Sequence, residues 1–241
     1  MDIGQFTLHA TMEDRHWWFV GRRELIFEIL RRYVSPNNEK HILEIGCGTG
    51  GNLRFLGKFY RVTGMDIAPE AVRHARERVD CPILNADFGD TYSNVFTDVD
   101  AVLLADVLEH VEDDRGFLSD ILMRLRSGGV VVITVPAYDF LWSNHDIVLG
   151  HVRRYSRKQL LSIRQGLPVD MKYCTSFNSL FFPLIALYRL LPHGASRESD
   201  LTLPPAPINN LLLALFRLEK FLLKIRPLPW GVSLMMVLQK R

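Results

Sequence analysis

The chain has 241 residues, of which 48% are hydrophobic, 10% aromatic and 23% charged. That composition excludes a disordered or fibrous chain and fits one large α/β domain. Lys and Arg outnumber Asp and Glu by 29 to 27, a net charge of +2, which provides no global field for nucleic acid. Three cysteines (Cys47, Cys81 and Cys174) are too few for a disulfide framework and too far apart for a CxxC zinc motif. The opening stretch MDIGQFTLHATMEDRHWW lacks the basic-then-apolar order of a secretory signal. No uncharged apolar run reaches the ~18 residues needed to span a bilayer. The expectation is a cytoplasmic, reduced enzyme with no nucleic-acid partner.

In chain order, residues 22–33 place Leu25, Ile26, Ile29, Leu30 and Tyr33 at helical spacing, and Ser35-Pro36-Asn37-Asn38 ends that helix. Short apolar runs then alternate with amphipathic stretches. Strands are predicted at 41–46, 61–66, 82–87, 99–106 and 130–136. Helices are predicted from Gly50 to Lys58, from Pro69 to Arg78 and from Asp113 to Arg126. This alternation implies a parallel sheet with right-handed crossovers and helices on both faces. Residues 137–155 read as a long loop. Ser156-x-x-Gln159 is a capping box opening a helix that Gly166 closes, and 169–177 alternates like a strand. Residues 178–229 are hydrophobic around a proline-rich linker, 192–207, and GVSLMMVLQKR is a last strand.

The strongest motif is Glu44-Ile45-Gly46-Cys47-Gly48-Thr49-Gly50, at a strand-to-helix turn. Glycines there permit a tight turn and let a ligand approach backbone N–H groups at a helix N-terminus. Asp66 ends the next strand, where a carboxylate can accept both hydroxyls of a ribose. Gly46, Gly48 and Gly51 also satisfy the G-x-G-x-x-G of dinucleotide-binding proteins. On these residues, together with GMDIAPEAV, NADF, ADVLEHVED and LRSGGVVVITVP in the same order, the chain resembles the class I S-adenosylmethionine (SAM)-dependent methyltransferases. The resemblance implies a Rossmann-like, seven-stranded, mostly parallel sheet with an antiparallel C-terminal strand and helices on both faces. It also implies SAM as cofactor. The residues implied for it are Glu44, Gly46, Cys47, Gly48, Gly50, Asp66, Ile67 and Asp106, with Asp87 at the adenine amine and Phe88 near the ring. The combination of HWWF-x-GRR with H-D-x-x-x-G-H-x-R-R-Y further resembles a bacterial methyltransferase group linked with cell-surface glycan or lipid-carrier pathways.

Methyl transfer to oxygen or nitrogen requires a group that removes a proton, and candidate bases lie at the carboxyl ends of the fourth and fifth strands. His110 is one. His145, Asp146, His151 and Arg154 form a second cluster in the loop after the fifth strand, where open α/β sheets carry substrate loops. From His151 to Gln165 there are four Arg, one Lys and no acid, a stretch able to grip phosphate or carboxylate. No metal is assigned. Asp106, Glu109 and His110 are the ligand set that a divalent cation would use, by likeness to the E-x-x-E-H of metal-dependent methyltransferases. His16-Trp17-Trp18-Phe19 either forms a lid over the cofactor or packs the N-terminal segment onto the core.

The chain is therefore divided into an N-terminal lid and helix (1–38), a SAM-binding core (39–177), a hydrophobic insertion (178–229) and a last strand (230–241). The expected function is methyl transfer to a small-molecule, glycan or lipid-linked acceptor. The alternatives are a nicotinamide-dependent oxidoreductase and a non-catalytic SAM-binding scaffold. Residues 208–226 form an apolar helix with Arg217, Lys220 and Lys224 on one face, which either covers the sheet, makes a homodimer contact or lies peripherally on the inner membrane surface.

Overall fold

The structure, a computed structural model, describes residues 3–87, 93–190 and 202–241. Its centre is a seven-stranded sheet in the order β3-β2-β1-β4-β5-β7-β6. The strands are β1 (Asn37–Ile45), β2 (Tyr60–Asp66), β3 (Ile83–Asn85), β4 (Val99–Ala105), β5 (Val130–Pro136), β6 (Val169–Phe177) and β7 (Ser233–Lys240). The first five pair in parallel, and β7 runs antiparallel to both of its neighbours, β5 and β6. β4 is buried along its whole length, its Val, Leu and Ala side chains suiting a central parallel strand and its one acid, Asp100, pairing with Lys40 and Arg126. This is the Rossmann-like class I arrangement that the motif order implies. The strand order reverses between β1 and β4, and ligands of open α/β sheets bind outside the carboxyl ends at such a reversal.

Alternate side chains feed two cores. On one face Ile42, Leu103, Val132 and Val237 meet α2 (Trp17–Leu30) and α9 (Ala206–Ile225). On the other, Leu43, Val102, Leu104 and Ile133 meet Leu118, Ile121 and Leu122 of α5 (Asp114–Arg124) and Leu160 of α7 (Arg157–Ser162). The remaining helices are α1 (Ile3–Met12), α3 (Gly51–Leu56), α4 (Pro69–Arg78), α6 (Asn144–Leu149) and α8 (Phe182–Leu190).

Three segments depart from the sequence expectation. Helix α2 starts at Trp17, not Arg22, because His16 caps it: Trp18 N donates to His16 Nδ1 at 3.3 Å. Trp17 and Trp18 then pack on Phe177, Phe181 and Phe216, the packing alternative of the two considered for this pair. Residues 137–155 are not structureless: a 3-10 turn at Asp139–Leu141 and helix α6 lie within them. A capping box of Ser143 and Asp146, invisible to hydrophobic periodicity, sets the start of α6. In the insertion, α9 crosses α2 so closely that a Cβ on Gly21 would stand 2.1 Å from Phe216 Cδ1.

The crossing also redistributes the charges of α9. Arg217 and Lys220 both pair with Glu24 of α2, Lys220 largely covered and Arg217 still half-exposed. Phe216 and Leu223 point inward, while Leu211, Leu215, Leu218, Phe221, Leu222 and Ile225 are exposed. Among the described residues, no helix is long and apolar enough to cross a membrane.

Candidate active site

β1 runs straight into the glycine loop at the strand-order reversal. Gly46, Gly48 and Gly50 have φ of 71°, 54° and 84°, left-handed values that a side chain would strain. A Cβ at Gly48 would meet nothing within 4 Å, so its glycine also leaves room for a ligand against the backbone. Gly46 N and Cys47 N donate to Met65 O at 2.8 and 3.0 Å, which fixes the loop to β2. Asp66 continues that link, accepting from Gly48 N at 2.7 Å and from Ala68 N at 2.9 Å. Burial raises the Asp66 carboxyl above its ordinary range, against the pull of these N–H groups. Ile67 is exposed beside it, and Asp87 stands exposed just past β3. Phe88 lies outside the described residues. Cys47 is buried, and burial pushes its thiol up.

Glu44 is 1% exposed, with Asn52 Nδ2 donating to its Oε1 at 2.7 Å and no partner on Oε2. Burial pushes its carboxyl up to about 8. An unpaired buried carboxylate oxygen is costly, and a cationic ligand beside it would remove that cost.

Asp106 follows β4 in a left-handed conformation, φ 58°, strain of the kind that collects at functional sites. Its Oδ1 accepts from Thr134 Oγ1 at 2.9 Å, and its Oδ2 pairs with the guanidinium of Arg22. Arg22 was not a candidate from sequence, although it belongs to the HWWF-x-GRR motif; nothing local to α2 indicates which of its two arginines turns to the sheet. The segment before α2 is anchored over the same loop. Thr49 Oγ1 donates to Glu13 at 2.7 Å, and Arg78 donates to Glu13 at 2.7 Å and to Thr49 O at 2.9 Å.

Beyond Asp106, a 3-10 turn at Leu108–His110 meets the end of α6. Asp146, fully buried, accepts from Arg154 Nε at 2.8 Å and Nη2 at 3.0 Å, and lies 2.9 Å from His151 Nδ1. Burial alone would raise the Asp146 carboxyl, but these partners hold it well below the usual carboxylate range. Arg154 also donates to Ala137 O at 3.2 Å, so its guanidinium ties the loop to the end of β5. His151 packs edge-on against His110, with ring centroids 4.8 Å apart. Desolvation, followed by the neighbouring His151, brings His110 down to about 4. Glu109 is wholly buried, and burial pushes it up to about 8. The fold thus brings Glu109, His110, Asp146, His151 and Arg154 together from two loops. It places Asp106 apart from them, with Arg22. His145 occupies the first turn of α6, half-buried.

A methyltransferase-domain family model matches residues 43–133, the stretch holding the glycine loop, Asp66 and Asp106. A protein of Mycolicibacterium smegmatis, named as a probable S-adenosylmethionine-dependent methyltransferase, is 29% identical over 136 residues, 55% of this chain and 50% of that protein. The mitochondrial ubiquinone biosynthesis O-methyltransferase of Schizosaccharomyces pombe is 33% identical over 143 residues, 55% of this chain and 51% of its own. The chain spans about half the length of these curated relatives. Among solved structures, a methyltransferase in complex with the Trm112 methyltransferase activator of Haloferax volcanii superposes with a TM-score of 0.61 at 19% identity, covering 98% of this chain and 94% of that one. That likeness spans the flanking helices as well as the sheet. By its sheet order, its glycine loop and the family match over residues 43–133, the chain is similar to the class I S-adenosylmethionine-dependent methyltransferases.

Proposed function

We propose that the chain is a methyltransferase that uses SAM to methylate an oxygen or nitrogen of a small-molecule, glycan or lipid-linked acceptor. One observation carries this reading: at the strand-order reversal, a left-handed glycine loop lies between the carboxylate of Asp66 and the unpartnered Glu44 Oε2. SAM supplies a methyl group already activated on a sulfonium. The chain's residues hold and orient. Asp66 and the Gly46–Gly50 loop take the ribose and backbone-facing side, Asp87 takes the adenine amine, and Ile67 offers an apolar surface. Glu44 takes the ammonium, and Arg22 takes the carboxylate of the cofactor's amino-acid end. The Glu109, His110, Asp146 and His151 cluster handles the acceptor and its proton, with Arg154 setting the position of Asp146. His145 lies on the acceptor side of the same loop.

The nicotinamide alternative draws no support from Tyr155. It is 1% exposed, its hydroxyl donates to Asp114 at 2.7 Å, and Gln159, not Lys, stands four places on. Calorimetry decides between the cofactors: SAM and S-adenosylhomocysteine should bind in preference to NAD, and tighter NAD binding would overturn the proposal.

The lipid-linked acceptor is the reading that the outward face of α9 favours. Leu218, Phe221 and Ile225 are 50%, 60% and 81% exposed, and Lys224 and Arg226 flank them. An apolar strip with a basic edge suits an anionic lipid surface. The likeness to a ubiquinone-biosynthesis enzyme is consistent with an apolar acceptor.

A further inference from the structure

We propose that Glu109, His110 and His151 form a binding site for one divalent first-row transition-metal ion. A ligand atom from each lies within 4.8 Å of the other two. The carboxylate of Glu109 is 0% exposed, and neither oxygen has a hydrogen-bond partner. A buried carboxylate is stable when it is paired or coordinates a metal. The two arginines nearest in charge to Glu109 donate their hydrogen bonds to other carboxylates, Arg22 to Asp106 and Arg154 to Asp146.

Both imidazoles are oriented from behind. His151 Nδ1 lies 2.9 Å from Asp146 Oδ1, and His110 Nδ1 lies 3.3 Å from Gly150 O. Each partner is an acceptor, so each Nδ1 carries the proton, and the Nε2 lone pairs remain as the ligating atoms. A carboxylate or carbonyl behind a ligating histidine is the usual outer support of a metal site. Val152 N donates to Glu109 O at 2.8 Å, locking the loop that bears His151 to the turn that bears Glu109 and His110.

Two imidazoles and one carboxylate favour Zn²⁺, Fe²⁺, Co²⁺ or Mn²⁺ over Mg²⁺ or Ca²⁺, which prefer all-oxygen sites. Three protein ligands leave coordination positions for an acceptor oxygen, whose hydroxyl the ion would acidify, its proton passing to solvent. That role rests on the methyl-transfer reading. Metal binding itself does not.

The test uses the full chain, stripped with chelator and titrated with Co²⁺. Visible d–d bands should rise to one equivalent and be displaced by Zn²⁺. His110→Ala, at the surface, and the isosteric Glu109→Gln should each weaken Co²⁺ binding at least tenfold, with circular dichroism unchanged. Absence of a saturable band at one equivalent would overturn the inference. So would a near-ultraviolet thiolate-to-cobalt band, which assigns the ion to cysteine, or full retention of binding in both folded variants. SAM calorimetry on the same stripped sample separates the two proposals. Cofactor binding without cobalt binding removes the metal site alone, and cobalt binding without SAM binding removes the methyl-transfer reading alone.

Discussion

Arg22 and Asp106 are 84 positions apart in sequence, yet their side chains form an ion pair at the mouth of the strand-order reversal. Arg22 comes from the helix that precedes the sheet, and Asp106 from the end of its central strand. Their side chains are 12% and 28% exposed, so the pair is shielded enough to matter but still reachable by a ligand. Asp106 also accepts from Thr134 on β5. One carboxylate thus links the N-terminal helix to two strands.

If Arg22 holds the carboxylate of SAM, its replacement should discriminate between cofactor analogues. Arg22→Ala should weaken SAM roughly 10- to 100-fold, from the ~1.5–3 kcal/mol of a charge-assisted hydrogen bond. Decarboxylated SAM, which keeps the ammonium and sulfonium, should bind wild type and variant alike. Calorimetry with both ligands checks this. Equal losses for the two would mean that Arg22 acts only by holding Asp106.

Glu44 predicts a pH signature. Its carboxyl is pushed up to about 8 by burial, with Glu13 and Asp66 adding to the rise, and Asn52 and Arg22 opposing it. A carboxyl raised in the folded state favours folding fully below its unfolded value, ~4.3, and loses that contribution as pH rises through about 8. Binding a cation runs the other way, because the ionised form is the one that pairs. SAM affinity should therefore climb by up to about tenfold per pH unit below pH 8 and level off above it. One proton should be released per SAM bound near neutrality, measurable from binding heats in buffers of different ionisation enthalpy. Glu44→Gln should abolish the proton release, and a release that persists in that variant would remove Glu44 from the cofactor site.

Arg154 and Asp146 form a buried bidentate pair, so single replacements should be costly and non-additive. Asp146→Asn leaves an uncompensated buried guanidinium, and about 3–5 kcal/mol of stability should be lost. Pairing it with Arg154→Met should recover part of that loss, a coupling measurable by a double-mutant cycle in urea. His151→Ala should leave stability nearer to wild type but lower turnover ~10²–10⁴-fold, with SAM affinity nearly intact. Wild-type turnover in His151→Ala would place the acceptor chemistry elsewhere.

The sheet was legible because its strands carry the signal within themselves. Runs such as VVVITVP are too apolar and β-branched to be anything but buried strand, and their β5 bounds agree to the residue. The glycine loop was legible because φ above zero demands glycine at fixed spacing. What stayed hidden was anything made by partners distant in sequence. Arg22 is one arginine of a pair until the sheet places Asp106 beside it. Glu109, His110 and His151 read as two separate motifs until Val152 joins their loops. The short helix α6 was missed because its start is fixed by a reciprocal side-chain cap, not by an apolar stripe. The basic face of α9 was read correctly as a face but not as an occupied one, since Glu24 lies 193 positions from Arg217.

That last point reshapes the test of membrane contact. With Arg217 and Lys220 committed to Glu24, reversing Lys220 would break an internal ion pair and confuse folding with lipid binding. Lys224 and Arg226 are exposed and border the strip of Leu218, Phe221 and Ile225. Lipid burial of such side chains is favourable at ~25 cal/mol per Å² of apolar surface, and each basic residue near an anionic leaflet adds ~1 kcal/mol. The full chain should therefore sediment with vesicles containing phosphatidylserine, less so as salt rises and not with neutral vesicles of phosphatidylcholine alone. Lys224→Glu with Arg226→Glu should reduce binding to anionic vesicles severalfold. Phe221→Glu should do so at every salt concentration, because it removes the apolar term. Both variants change exposed side chains, so their melting temperatures should stay close to wild type. If the protein remains in the supernatant at low salt, the membrane reading falls. A dimer in sedimentation equilibrium that Phe221→Glu dissociates would then assign the strip to a second copy of the chain.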